Sequence, residues 1–195
     1  MGNIRLGVMG GTFDPIHFGH LVAASEVAHA FNLAKVIFVP TGEPWQKQTL
    51  TAAEHRLKMT QLAIADNPLF EISTVDIDRG GPTYTIDTLR DIRVSHPSSE
   101  LYFITGADAI SQIMSWKNID ALWPLAKFVG VTRPGHELNV PKMAQADVSI
   151  LEIPALAISS TDIRARVKAG KPVDYLLPDA VIEYIHKNEL YRGNQ

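Results

Sequence analysis

Residues 4–20 read Ile-Arg-Leu-Gly-Val-Met-Gly-Gly-Thr-Phe-Asp-Pro-Ile-His-Phe-Gly-His, and the rest of the chain reads as scaffolding for them. Ile4 to Met9 is a short apolar run in which Leu6 and Val8 alternate with Arg5 and Gly7. Such a run, stopped by glycines, suits a buried strand. Gly10 and Gly11 then form a tight exit where the main chain can approach a ligand closely. Asp14-Pro15 marks a turn, and a helix is expected to begin near Phe18 or Gly19. His17 and His20 share one face of that helix's first turn. A helix start offers unpaired N–H groups and partial positive charge, which suits phosphate, and imidazoles add donors whose charge can respond near neutral pH. A phosphate site at the top of the first strand is the strongest reading. Two others stay open: half of a metal site, and histidines that merely satisfy a loop.

Outward from this stretch, Leu21, Val22, Ala24, Ala28 and Phe31 recur at helical spacing, with Asn32 as the expected stop. Val36 to Val39 is a second strand, closed by Pro40. A strand–helix–strand unit of this length implies parallel strands with a right-handed crossover. Residues 41–50 are a polar loop carrying Trp45 and Lys47. Thr51-Ala-Ala-Glu54 has capping-box form and opens a helix through Leu57, Met59, Leu62 and Ile64. Phe70 to Ile77 reads as a strand, broken by Gly80-Gly81-Pro82. Thr85 starts the next helix, which His96-Pro97 ends. Leu101 to Ile104 is a strong strand leading into Gly106-Ala-Asp108, and two short helices are expected around 109–115 and 118–125. Phe128 to Val131 and Val148 to Ile153 are further strands, joined by a less regular connection over 136–147. Ser159-Ser160-Thr161 opens a helix that Gly170 terminates, and Pro178-Asp179 opens a C-terminal one. Strands alternating with helices imply an α/β fold. The expected form is a doubly wound, Rossmann-like parallel sheet, one domain over 1–195 with a helical C-terminal end.

Composition narrows the function classes. The chain has 195 residues, 46% hydrophobic and 20% charged, as in an ordinary globule. It has no cysteine, so disulfide and thiolate chemistry are excluded. Its net charge of −3, from 18 basic and 21 acidic residues, argues against a broad grip on nucleic acid. No basic leader precedes a long apolar stretch, and no run is long enough to span a bilayer. A cytoplasmic location is the expectation. Gly-x-x-x-x-Gly-Lys-[Ser/Thr], Gly-x-Gly-x-x-Gly and Gly-x-Ser-x-Gly are absent, which speaks against P-loop kinases, dinucleotide oxidoreductases and serine hydrolases.

Ligands of doubly wound sheets bind beyond the carboxyl ends of the strands, and four candidate loops are expected there. The first holds His17 and His20. The second is Ile158-Ser159-Ser160-Thr161-Asp162-Ile163-Arg164, whose hydroxyls and N–H groups suit phosphate and whose Arg164 can add a charge-assisted contact. Ordinary capping with a solvated arginine fits the same residues. The third is Gly106-Ala107-Asp108 with Trp116 and Lys117: Asp108 suits ribose hydroxyls, and Trp116 suits either an aromatic ligand or the core. The fourth is Lys47, either solvated or closing over phosphates.

Gly10-Gly-Thr-Phe-Asp-Pro-Ile-His-Phe-Gly-His20 together with Ile158-Ser-Ser-Thr-Asp-Ile-Arg164 resembles the nucleotidylyl transferase superfamily, marked by His-x-Gly-His and a distal Ser/Thr-rich helix start ending in Arg. Gly106-Ala-Asp108, Trp116, Thr83-Tyr84-Thr85 and Arg133-Pro-Gly135 are similar to the bacterial nicotinate-mononucleotide adenylyltransferases. The resemblance implies transfer of an adenylyl group from ATP to nicotinate mononucleotide, with Mg²⁺, releasing pyrophosphate. It implies His17, His20, Lys47 and Arg164 as catalytic groups, with no metal-ligating residue. ATP contacts would come from Gly10, Gly11, Thr12, Phe13, His17, His20, Gly106, Asp108, Ile158, Ser159, Ser160, Thr161 and Arg164. Thr85, Asp108, Trp116, Lys117 and Arg133 would bind the mononucleotide. Many relatives carry Pro-Pro-His-Lys where this chain has Pro44-Trp45-Gln46-Lys47, so the lysine is kept and the histidine is not. Rival readings are another phosphorylated acceptor, such as phosphopantetheine, and a nucleotide sensor without catalysis. A monomer and a homo-oligomer are equally compatible with the sequence.

Overall fold

A computed structural model of the chain describes residues 3–44, 51–132 and 148–192. Its framework is a parallel sheet of β1 (Arg5–Gly11), β2 (Lys35–Pro40), β4 (Phe70–Ile72), β6 (Glu100–Gly106), β7 (Lys127–Thr132) and β8 (Val148–Glu152). The strands lie in the order β4-β2-β1-β6-β7-β8. Order therefore reverses between β1 and β6, which pair in parallel from Arg5 with Glu100 to Val8 with Phe103. That is the doubly wound arrangement, with the crevice for ligands at the β1/β6 switch point.

Both faces of the sheet are covered, which explains why its strands read as continuous apolar runs. Successive side chains alternate between two cores. Met9, Val36, Phe38, Tyr102, Ile104 and Val129 pack in one core with α1 (Phe18–Ala30), α2 (Ala53–Ile64), α7 (Ser160–Lys168) and α8 (Asp179–Lys187). Leu6, Val8, Ile37, Leu101, Phe103 and Phe128 pack in the other, against Ile86, Leu89 and Ile92 of α4 (Thr85–Ser95) and the short α5 (Ala107–Ser111) and α6 (Ile119–Leu122). The residues of α1 that face the sheet are Ala23, Ala24, Val27 and Ala28, mostly small, so this helix can lie close over β1.

Several expectations change in detail. Gly10 and Gly11 do not follow the strand; they are its last two residues, paired with Val39 and Pro40. Thr51 is not a cap. Ala52 holds that position, and Thr51 is buried with its carbonyl accepting from Arg56 Nε at 3.2 Å. The strand expected over 70–77 stops at Ile72, and Val75–Arg79 is a helical turn, α3. Thr74 Oγ1 donates to Asp78 Oδ2 at 2.6 Å, and this local pairing competes with strand geometry. The two helices expected over 109–115 and 118–125 resolve into α5, a 3₁₀ turn at Ile113–Ser115, and α6. A two-residue parallel pair, β3 (Glu43–Pro44) with β5 (Pro82–Thr83), joins the loop after β2 to the approach to α4. Nothing in the sequence pattern announced it. Asn32, in the left-handed region at φ 50°, follows α1, and Gly170, at φ 63°, follows α7, as their residue types suggested.

Candidate active site

The loop between β1 and α1 is held from three directions. Arg56, 1% exposed, donates through Nη1 to Thr12 O at 2.9 Å and through Nη2 to Gly42 O at 2.7 Å. Ser160 Oγ, at the start of α7, donates to Pro15 O at 2.8 Å, and Arg164 Nη1 donates to Asp14 O at 2.7 Å. Tyr191 OH donates to the buried Asp14 Oδ1 at 2.7 Å. Burial and this bond to Asp14 push the Tyr191 phenol up, so it keeps its proton. The Asp14–Pro15 peptide is cis. The helix starts of α1 and α7 are therefore neighbours, although they lie near opposite ends of the chain.

His17 is the N-cap of α1 and His20 its third helical residue. Their rings stack, with centroids 3.8 Å apart and planes at 29°. The His17 N–H donates to His20 Nδ1 at 3.3 Å, which leaves the His20 proton on Nε2 when that ring is neutral. Phe13 meets the His20 ring edge-on at 5.1 Å. His17 Nδ1 is buried and has no hydrogen-bond partner among the described residues. Burial lowers the His17 imidazole to about 4, so the free protein carries it neutral at pH 7. A charge responding near neutrality, expected of both rings, thus does not hold for His17. Gly19 lets the His17 ring lie close: a Cβ there would stand 3.0 Å from His17 Cε1 and Nδ1, so the ring would have to shift.

Two cavities flank the loop. One, of about 300 Å³, runs from Gly10, Gly11 and Thr12 to Thr83, Tyr84 and Thr85, and Trp116 and Lys117 also line it. Trp116 meets Phe103 edge-on at 5.9 Å, so it serves the core and the cavity together. Lys117 Nζ lies 3.9 Å over the Tyr84 ring and 3.6 Å from Asp87 Oδ2. The other cavity, of about 140 Å³, is bounded by Gly19, Gly106, Asp108, Thr132 and Leu156. Ser159 caps α7, accepting from the Asp162 N–H at 3.1 Å, and Ile158 O lies 3.9 Å from a Cβ built at Gly19. Lys47 and Arg133 lie outside the described residues.

Sequence reasoning missed Asp76, Thr88, Arg56 and Tyr191. Asp76, buried on the wall of the larger cavity, accepts from Thr88 Oγ1 at 2.8 Å and from Arg79 Nη2 at 2.5 Å. Burial pushes its carboxyl up to about 6, against the pull of Thr88 and Arg79. A Cβ at Gly42 would come within 2.6 Å of the Asp76 carbonyl oxygen, which fixes glycine there. Arg56 had one legible signal. It shares helical spacing with Met59, Thr60 and Ile64, the buried face of α2.

A doubly wound sheet, with a His-x-Gly-His helix start and a Ser-Ser-Thr-x-x-Arg helix start meeting at one loop, defines a nucleotidyl transferase. The profile of the family described as cytidylyltransferase-like matches residues 8–166, and the chain belongs to it. More narrowly, it belongs with the nicotinate-nucleotide adenylyltransferases. The protein of Clavibacter michiganensis subsp. michiganensis (strain NCPPB 382) named "Probable nicotinate-nucleotide adenylyltransferase" is 66% identical over 192 residues, spanning 98% of this chain and 96% of that one. A protein of the same name from Leifsonia xyli subsp. xyli (strain CTCB07) is 64% identical over 97% of this chain and 94% of its own. The solved Plasmodium falciparum nicotinic acid mononucleotide adenylyltransferase complexed with NaAD superposes with a TM-score of 0.81. It is 22% identical and covers 97% of this chain and 98% of that one, which establishes the shared fold. Among the described residues no helix is long and apolar enough to cross a membrane.

Proposed function

We propose that this chain, one domain over 1–195, transfers the adenylyl group of ATP to nicotinate mononucleotide, forming nicotinate adenine dinucleotide and pyrophosphate in the cytoplasm. The convergence of the α1 and α7 starts on the loop at Asp14-Pro15, between two separate cavities, carries the proposal. The smaller cavity, with Asp108 exposed at its edge, suits the adenosine; the larger, with Trp116, Thr85 and Lys117, suits the mononucleotide. The first-turn N–H groups of α4 and the Lys117 ammonium favour a ring bearing a carboxylate over one bearing an amide.

A phosphate oxygen of the mononucleotide attacks the α-phosphorus of ATP, forming one P–O bond as the bond to the bridging oxygen breaks and pyrophosphate leaves. The nucleophile is already anionic, so alignment and neutralisation of phosphoryl charge suffice. His17 and His20 act as N–H donors to the phosphates, and Ser160, Thr161 and Arg164 hold the leaving end. Gly10, Gly11 and Thr12 line the larger cavity, Phe13, Ile158 and Ser159 belong with the ATP contacts on this reading, and Lys47 and Arg133 add positive charge. Mg²⁺ would enter with ATP and would supply positive charge to the departing pyrophosphate.

The test is pyrophosphate release from ATP with nicotinate mononucleotide, nicotinamide mononucleotide and phosphopantetheine in turn. The acid mononucleotide is expected to be the preferred acceptor, and His20→Ala to lose ~10²–10³ in turnover. Release with none of the three, or an unimpaired His20→Ala, refutes the assignment.

A further inference from the structure

A third cavity, of about 600 Å³, lies between α2, α7 and the segment after α8. Among the described residues it shares no lining side chain with the other two. Thr161, Arg164 and Lys168 line it from α7. Their spacing puts them on one helix face, and Lys168 lies about 6 Å further along the axis than Arg164. His55 faces them from α2, with Nδ1 2.8 Å from Tyr184 OH. Glu189, the acidic group on this wall, is paired with Arg192 at 3.1 Å. Arg166, next to this face, is paired with Asp162 at 2.7 Å. Lys168 itself is exposed and has no acidic partner among the described residues. The cavity is thus cationic, and one of its lining residues, Arg164, also bonds the β1–α1 loop through Nη1 to Asp14 O.

We propose that this cavity receives the departing pyrophosphate, with Lys168 binding it one helical turn beyond Arg164. The inference rests on the adenylyl-transfer reading. In that reaction the leaving polyanion is released at the loop, meets Arg164 first and has Lys168 as the next cation on the face of α7 that lines the cavity. Like-charged side chains one turn apart are mutually unfavourable on a bare helix. An anion shared between them turns that repulsion into a binding contribution.

The experiment measures inorganic pyrophosphate binding by titration calorimetry, and its KM in the reverse reaction with nicotinate adenine dinucleotide, for wild type, Lys168→Ala and Lys168→Arg. Lys168→Ala is expected to weaken both roughly tenfold, as for loss of a charge-assisted contact. Lys168→Arg is expected to restore most of the loss, and the KM for nicotinate mononucleotide to hold in both variants. Pyrophosphate binding to Lys168→Ala within about twofold of wild type overturns the inference and leaves the adenylyl-transfer reading intact. Equal weakening of pyrophosphate and mononucleotide also overturns it. A wild-type chain without adenylyl transfer removes the parent reading, and this assignment with it.

Discussion

His17 offers a sharp test of the site, because its burial has a consequence far from catalysis. Its imidazole is lowered to about 4 by desolvation, from 6.5 in the open chain. Between those values the unfolded chain binds more protons than the folded one, so stability rises with pH and is lost on acidification. At 1.36 kcal/mol for each decade of pH, the loss relative to pH 8 is about 2 kcal/mol at pH 5. Asp76 works in the opposite sense. Its carboxyl is raised to about 6, so the folded chain holds the extra proton and gains stability as pH falls through that region. The gain is of order 1 kcal/mol at pH 5 by the same arithmetic. The two groups therefore offset each other in part. Urea unfolding of wild type and His17→Gln at pH 8 and pH 5 separates the two. The stability of wild type relative to the variant is expected to fall by about 2 kcal/mol at the lower pH, or roughly 4–8 °C in melting temperature. A wild-type-minus-variant difference that stays constant across this range refutes the buried neutral imidazole. ATP adds negative charge beside the same ring and should raise its pKa, so binding near pH 5 is expected to take up a proton, detectable as buffer-dependent heat.

Three further changes probe the supports of the site. Gly19→Ala pushes a methyl against the His17 ring at 3.0 Å, and turnover is expected to fall about 10²-fold with little change in melting temperature; turnover near wild type refutes the contact. Arg56→Met leaves the carbonyls of Thr12, Gly42 and Thr51 without their donor, and is expected to cost about 3–5 kcal/mol in urea unfolding. A loss below about 1 kcal/mol would show the network to be dispensable. Trp116→Ala is expected to raise the KM for nicotinate mononucleotide roughly tenfold, the scale of ring-on-aromatic stacking, while the KM for ATP stays close to wild type.

The sheet was legible because its strands are buried on both faces, and that burial writes itself as unbroken apolar runs at Leu6–Met9, Val36–Val39 and Leu101–Ile104. Helix ends were legible where one residue type does one job, as at Asn32 and Gly170. The stretch from Phe70 to Ile77 misled, since Phe70, Ile72, Val75 and Ile77 almost keep a period of two. The turn at Ser73-Thr74 resets it, and Asp76 rather than an aliphatic residue becomes the buried member of α3. The two helix starts could be read locally, so His17, His20, Ser160, Thr161 and Arg164 were all named from the sequence. Arg56 and Tyr191 were not named, because each acts through a partner distant in the chain; Asp76 was not named because it lies in the stretch that reads as a strand. A lone charge on a helix carries no mark of the carbonyl it will meet.

On the adenylyl-transfer reading, those distant partners fit an electrically unfavourable loop to an anion. A turn carrying successive peptide groups presents carbonyl oxygens as readily as N–H groups, and each exposed oxygen repels phosphate. Here the oxygens of Thr12, Asp14 and Pro15 are each taken by a protein donor: Arg56, Arg164 and Ser160. The last two donors lie 150 and 145 residues away in sequence. The phenol of Tyr191, 177 residues from Asp14, donates to one oxygen of the Asp14 side chain. On the adenylyl-transfer reading, this withdrawal of negative ends from the loop works alongside the guanidinium of Arg164. That withdrawal is complete only when the last helices have docked, so the α1 start cannot present its donors correctly in a chain that lacks α7 and the segment after α8.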